Sequence, residues 1–324
     1  MKKLSIMIPC YNEEENVREI YMAVTDMLKC SLPEYDYELL FIDNCSQDRT
    51  KEYLRGICEK DRQVKAIFNT KNFGQFNSPV YGMCQTTGDC TISLCCDFQD
   101  PVELIPEFVK EWENGYKIVI GIKTGSRENR IMRFFRTCYY KMISKMSDIE
   151  QIEHFTGFGL YDRSFIDVLR NLHDPTPFIR GIVAELGYQR KDIFYIQPKR
   201  KAGKTHNNLA TLYDAAMLSF TSYTKTGLRI AAVAGFGFSM ASILAAFVYL
   251  VLKLVYWDRY TAGTVPILLA VCVLGSVQLF FTGLLGEYVI GMNKRIMNRP
   301  LVIEEERLNF DTGCQEVMGG NRNV

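Results

Sequence analysis

The chain has 324 residues, with 38 basic against 37 acidic side chains and a formal net charge of +1. That length suits one large domain with an appendage, or two domains, and the balanced charge excludes a nucleic-acid binder relying on a broadly basic surface. A composition of 48% apolar and 23% charged residues excludes a disordered or fibrous chain, and the slightly negative mean hydropathy excludes a many-span transporter, provided the apolar residues are evenly spread. They are not.

In chain order, residues 4–8 form a short apolar run stopped by Pro9 and read as a strand. After the acidic turn 12–15, Val17, Ile20, Val24, Met27 and Leu28 recur at helical spacing, with Asn12 as the expected N-cap. Residues 37–42 read as a second strand ending at Asp43, about 49–59 as a helix, and 65–68 as a third strand. Residues 75–86 read as helical, and 90–96 and 117–122 as strands. Strands alternating with crossover helices predict an α/β domain with a mostly parallel sheet and helices on both faces. Ligands of such sheets bind beyond the carboxyl ends of the strands.

Three strand ends carry suggestive groups: Pro9-Cys10-Tyr11-Asn12-Glu13, Asp43-Asn44-Cys45-Ser46 and Asp97-Phe98-Gln99-Asp100-Pro101. An acid directly after a buried strand suits a ribose hydroxyl or a hard metal ion. Asp43 or Ser46 serves equally as a cap for the next helix, and Asp100 before Pro101 reads as an N-cap. Asp97 and Gln99, two apart on an extended segment, would face the same way.

Two basic stretches follow. Arg127, Arg130, Arg133 and Arg136 are spaced by three and interleaved with Ile131, Phe134, Phe135 and Tyr139. They make either an amphipathic surface helix or an interfacial helix whose arginines receive a lipid phosphate. Pro198-Lys199-Arg200-Lys201-Ala202-Gly203-Lys204-Thr205-His206 reads as a mobile lid or as a basic loop beside anionic lipid.

Residues 230–252 and 261–286 are free of charge, and each is long enough to span a bilayer. Gly235, Gly237, Ser239, Gly275 and Ser276 suit close helix contact in lipid, and Tyr256, Trp257 and Tyr260 in the connector suit an aromatic belt. Lys225, Arg229, Lys294, Arg295 and Arg299 flank the pair, which predicts a hairpin with both chain ends on the cytosolic side of the membrane. The opening MKKLSIMIPCYNEEEN turns acidic before an export signal could form, which places the N-terminal part in the cytosol and leaves the eleven cysteines reduced. The tail after about Glu304 is polar and expected to be poorly ordered. The expected division is a cytosolic domain over 1–205, a juxtamembrane helix over 206–229, two membrane helices over 230–288 and a cytosolic tail over 289–324.

The series IPCYNEEENV, LLFIDNCSQDRT, NFGQFNSPVYGMCQTTGD and CDFQDPVELIP resembles the family-2 glycosyltransferases, in particular the polyprenyl-phosphate enzymes. Among these are dolichyl-phosphate mannose synthases and bacterial undecaprenyl-phosphate (bactoprenol) glucosyltransferases. The resemblance covers roughly residues 3–205 and implies a GT-A fold, a Rossmann-like α/β architecture. It implies a nucleotide-sugar donor, with UDP-hexose the guess from bacterial relatives, a polyprenyl-phosphate acceptor, inversion at the sugar and a homo-oligomer. By the same resemblance Pro9, Tyr11, Glu13 and Asp43 would hold the nucleoside, and Asp97 and Gln99 a Mg²⁺ or Mn²⁺ ion. Arg200 and Lys204 would meet the diphosphate, Asp97 and Arg200 would act in catalysis, and Arg127, Arg130, Arg133 and Arg136 would receive the acceptor phosphate.

Three positions depart from the family pattern. Cys95 stands for the first acid of D-x-D-x-Q-D, Asn44 for a second carboxylate after Asp43, and Gly157-Phe158-Gly159-Leu160 for D-F-R-L. A thiol is a poor ligand for Mg²⁺, so weaker metal binding, favouring Mn²⁺, is expected, with Cys95→Asp restoring tight Mg²⁺ binding. A lone His154 before a Phe-Thr-Gly turn reads as structural. A lipid monophosphate arrives largely deprotonated, so no strong general base is required. A glycan acceptor and a catalytically silent scaffold remain alternatives; for the latter, Cys95, Asn44 and Gly157 are the reason.

Overall fold

The computed structural model describes residues 1–125, 152–198, 200–201, 217–218, 226–255, 264–297 and 299–310. It divides into one unit of Met1–Phe135, Gln151–Asn207 and Asn298–Val324, and a second of Arg136–Glu150 and Asn208–Met297.

The first unit is built on one sheet. Its elements in chain order are β1 (Lys3–Cys10), α1 (Val17–Ser31), β2 (Asp36–Asp43), α2 (Thr50–Lys60), β3 (Val64–Asn69), α3 (Gly74–Gln85) and β4 (Cys90–Ser93). Next come α4 (Ile105–Glu113), β5 (Ile118–Gly125), β6 (Phe155–Asp162), α5 (Arg163–Asn171), α6 (Ile179–Glu185) and β7 (Arg190–Ile196), and the last element among the described residues is a strand, Glu304–Leu308. The strand order is β7-β5-β6-β4-β1-β2-β3, with Glu304–Leu308 outside β3.

The inner strands are apolar on both faces because helices cover both. Ile6, Ile8, Leu39 and Phe41 pack toward α1, α2 and α4, while Met7, Leu40, Ile42 and Ile67 pack toward α3 and α5. This near-continuous apolar character is what parallel strands buried on two sides require. The expected mostly parallel sheet is mixed: β1 pairs in parallel with β2 and β4, β2 with β3 and β5 with β7. β6 lies antiparallel between β4 and β5.

Two expected boundaries shift. β4 stops at Ser93 rather than continuing to residue 96. The tail, expected to lack order, instead supplies the Glu304–Leu308 strand, antiparallel to β3. Lys51 pairs with Glu305 at 2.8 Å and Arg55 with Glu306 at 2.7 Å. Asn309 Nδ2 donates to the carbonyls of Cys58 and Val64, each at 2.7 Å. The added strand satisfies the β3 edge that would otherwise expose unpaired backbone groups.

The second unit contains two long helices, α7 (Thr226–Val255) and α8 (Thr264–Ile296). Among the described residues one stretch, Val273–Ile296, is long and apolar enough to cross a membrane. Phe236 in α7 and Leu279 and Phe280 in α8 are exposed, so neither helix turns all of its apolar surface into a protein core. The connector carrying Tyr256, Trp257 and Tyr260 lies outside the described residues.

Candidate active site

Strand register brings the expected motifs together. Cys10 lies opposite Asp43 across β1 and β2, and Met7 lies opposite Ser93 across β1 and β4, so three neighbouring parallel strands direct their carboxyl ends to one side of the sheet. The two loops after β1 and β2 bind each other. Asn12 N–H donates to Ser46 Oγ at 2.8 Å, Gln47 N–H to Asn12 Oδ1 at 2.8 Å, and Glu13 N–H to Thr50 Oγ1 at 2.9 Å. Asn12 is therefore not the cap of α1. It sits in the left-handed region at φ 55°, and Asn16 takes the cap position.

Asp43 is fully buried at the end of β2. Its Oδ2 accepts from Ser46 N–H at 3.0 Å, while Oδ1 is buried with no hydrogen-bond partner among the described residues. Burial raises the carboxyl above its ordinary pKa, with the Ser46 bonds opposing. It does not cap α2, whose cap position is Arg49. An acceptor oxygen buried without such a partner fits an N–H or O–H brought by a ligand. Pro9 and Tyr11 stand half-buried on the same side of the sheet.

Asn44 explains its own departure from the family pattern. Its Oδ1 accepts from Phe73 N–H at 2.9 Å and Asn69 Nδ2 at 3.1 Å, and its Nδ2 donates to Asn72 Oδ1 at 2.9 Å. It ties the loop entering α3 to the end of β2, a task that uses both halves of a carboxamide and that a carboxylate lacks the protons to perform.

Asp97 and Gln99 lie on a turn rather than an extended segment, with Phe98 between them at φ 61°. Asp97 Oδ1 accepts from Gln99 N–H at 3.1 Å. Asp100 is not an N-cap. It is 2% exposed, and its carboxylate accepts from Cys95 N–H at 3.1 Å and from Tyr195 Oη at 3.1 Å, anchoring the turn from inside. Burial raises its pKa. The exposed Cys95 thus has its backbone held by Asp100.

Arg200 closes over this turn. Its guanidinium donates to Glu13 Oε1, and its Nε lies 3.9 Å from Asp97 Oδ2. Lys201 follows, with its N–H on the Asp97 carbonyl at 3.4 Å and its Nζ 2.5 Å from Glu19. Glu13 is buried to 8% exposure; burial raises its carboxyl, and bonds from Asn16 and Arg200 oppose the rise. The structure therefore unites Pro9, Tyr11, Glu13, Asp43, Asp97, Gln99 and Arg200 on that side of the sheet. Lys204, Arg127, Arg130, Arg133 and Arg136 lie outside the described residues. Among the described residues no group of three or more acidic, histidine or cysteine side chains forms a metal cage, so a Mg²⁺ or Mn²⁺ ion here would rest on the hard oxygens of Asp97 and Gln99, with ligand and water completing its shell.

Sequence reasoning gave no separate place to Lys123 or Tyr195. Lys123 lies half-buried in β5, two residues before the strand ends at Gly125, its pKa lowered chiefly by burial with Asp100 opposing. Gly157 sits at φ 107°, where an acid or arginine would be strained, and a Cβ on Gly159 would meet Val119 O at 2.6 Å. In place of D-F-R-L stand Gly157, fitted to a positive-φ backbone, and Gly159, fitted to the close packing of β6 on β5. His154, at φ 60°, accepts from Lys123 N–H through its carbonyl at 3.4 Å, a backbone role.

The glycosyl transferase family 2 model matches residues 5–170, a stretch that contains the three strand-end motifs. The chain belongs to glycosyl transferase family 2. The transferase is 30% identical over 308 residues to the uncharacterized glycosyltransferase YkcC of Bacillus subtilis, covering 95% of this chain and 94% of that one. It is 28% identical to the bactoprenol glucosyl transferase of Shigella phage SfX, over 94% of this chain and 99% of the phage protein. A crystal structure of glucosyl-3-phosphoglycerate synthase from Mycobacterium tuberculosis, in complex with Mn²⁺ and uridine-diphosphate-glucose among its ligands, aligns at TM-score 0.44 and 15% identity, over 68% of this chain and 78% of that one.

Proposed function

We propose that this family 2 glycosyltransferase is anchored in the membrane by a two-helix hairpin, α7 and α8, and moves a hexose from a UDP-sugar to undecaprenyl phosphate at the cytosolic face. One observation carries the reading: the likeness to a bactoprenol glucosyl transferase runs over 94% of the chain, and so takes in the apolar helices as well as the sheet.

In this reading the buried Oδ1 of Asp43 accepts an N–H of the nucleobase, and Pro9 and Tyr11 border it. Asp97 and Gln99 hold a divalent ion, which when bound neutralises charge on the diphosphate. Arg200, with Lys204, meets the diphosphate as the sugar departs, a task suited to a planar fork of donors. Arg127, Arg130, Arg133 and Arg136 receive the acceptor phosphate. This phosphate is largely ionised at neutral pH, with a second pKa of about 6, so positioning and charge stabilisation replace a strong general base. Direct attack on the anomeric carbon inverts it.

A donor panel with undecaprenyl phosphate, run with Mg²⁺, Mn²⁺ or chelator, tests the proposal. One UDP-hexose should yield a metal-dependent, lipid-extractable product of inverted anomeric configuration. Transfer only to added glycan, with none to the lipid, would refute the acceptor.

A further inference from the structure

Cys95 occupies the position where the resemblance leads one to look for an acid, and sulfur is a poor partner for a hard cation. A second carboxylate reaches the same place from a different loop. Glu13 Oε1 and Asp97 Oδ2 both face one guanidinium, that of Arg200: the first is hydrogen-bonded to it, the second lies 3.9 Å from Nε. The other oxygen of Glu13 is taken by Asn16 Nδ2 at 2.6 Å, which fixes the carboxylate with Oε1 turned toward the cation. Two half-sequestered carboxylates aimed at one point repel unless a cation separates them, and here the chain supplies its own.

We infer that Glu13 is the second acidic group facing the divalent ion that accompanies the donor, and that Arg200 holds the place of that ion until donor and metal arrive together. The inference rests on the donor side of the proposed function and is independent of the acceptor. Lys201 supports it. Its N–H on the Asp97 carbonyl, its Nζ on Glu19 and its Nζ 4.9 Å from the Phe98 ring centre hold Lys201, next to Arg200, against the acidic turn. With a divalent ion held there, Glu13 and Asp97 would face that ion in place of the guanidinium, and Arg200 would be left to meet phosphate oxygens.

The test is Mn²⁺ binding to the full-length detergent-solubilised protein, read from the paramagnetic resonance signal of free Mn²⁺, without nucleotide and with UDP. Arg200→Gln should bind Mn²⁺ without nucleotide about tenfold more tightly than the parent, since a fixed cation within a few ångströms is removed. Arg200→Lys, which keeps the charge, should stay near the parent. Adding Glu13→Gln to Arg200→Gln should abolish the gain, and Cys95→Ser should change nothing. Unaltered affinity in Arg200→Gln, or a double variant that keeps the gain, would overturn the inference. Sugar transfer is not read in this experiment. A lipid acceptor could therefore fail while the metal result stands, and the two failures are distinguishable.

Discussion

The guanidinium of Arg200 is bonded to the carboxylate of Glu13, 187 positions earlier in the chain, and the same guanidinium approaches Asp97. Three elements far apart in sequence, the loops after β1 and β4 and the segment after β7, thereby share one electrostatic centre. If that centre works on the donor diphosphate, loss of the arginine removes stabilisation of a leaving group. Arg200→Ala should lower kcat/KM by about 10²- to 10³-fold, on the scale of deleting one preorganised donor to developing charge. Arg200→Lys should recover only part, because an ammonium lacks the planar fork. Steady-state kinetics with UDP-sugar and undecaprenyl phosphate measures both.

Asp43 makes a different prediction, on binding. Its Oδ1 is buried and has no donor among the described residues, while Oδ2 is committed to Ser46 N–H. Asp43→Asn either turns an NH₂ toward the Ser46 N–H or offers an NH₂ to the ligand where an acceptor is needed. We expect UDP affinity to fall at least about tenfold, with a stability cost of about 1–3 kcal/mol. Calorimetric titration with UDP and a thermal unfolding scan check the two parts, and unchanged UDP binding would remove Asp43 from the nucleoside site.

Asn44→Asp should destabilise without restoring any metal affinity. The substitution removes both Nδ2 donor contacts, to Asn72 Oδ1 and the Gly74 carbonyl, and places negative charge beside buried Asn69. A loss of about 1–3 kcal/mol is expected, visible as a lower unfolding midpoint with Mn²⁺ binding unchanged.

At the opposite end of the sheet, Glu38 sets part of the acid stability. It is 2% exposed and accepts from Ser5 Oγ at 2.6 Å, Thr87 Oγ1 at 2.7 Å and Lys65 Nζ at 2.8 Å. Burial alone would raise its pKa, but the bonds from Lys65, Ser5 and Thr87 outweigh it and lower the group to about 2. A depressed carboxylate contributes stability that is fully present above its unfolded pKa, about 4.3, and is lost as pH falls toward 2. Glu38→Gln should therefore unfold more readily than the parent at pH 7, by about 3–5 kcal/mol for a broken buried pair. The gap should narrow between pH 5 and pH 2.5, as denaturant unfolding at several pH values would show; a gap independent of pH would contradict the assignment.

Much of this architecture is legible in the residues because parallel strands covered on two faces leave continuous apolar runs, as in β1 and β2. The strand-end motifs are legible for the same reason, since the rule that ligands gather there needs only the strand ends. What escapes the sequence is set by tertiary contacts. Phe98 takes a left-handed conformation that nothing about phenylalanine predicts, which turns the Asp97 loop. Asp100 imitates an N-cap before Pro101, yet it is drawn inward by Tyr195, a partner 95 residues away. The Glu304–Leu308 strand reads as solvated tail because an edge strand need bury little, and its anchors on Lys51 and Arg55 lie some 250 residues earlier. The glycines at 157 and 159 look like lost catalytic groups until the positive φ of Gly157 and the close approach of β5 to Gly159 supply their reasons.

The central claim is transfer of a sugar to a lipid phosphate by a site built around Asp97. The most direct measurement incubates the full-length protein with radiolabelled UDP-sugar, undecaprenyl phosphate and Mn²⁺ and follows label into the organic phase. The account predicts label that depends on the added lipid, disappears with chelator and is lost in Asp97→Ala. Equal labelling of the organic phase by Asp97→Ala and the parent would contradict it.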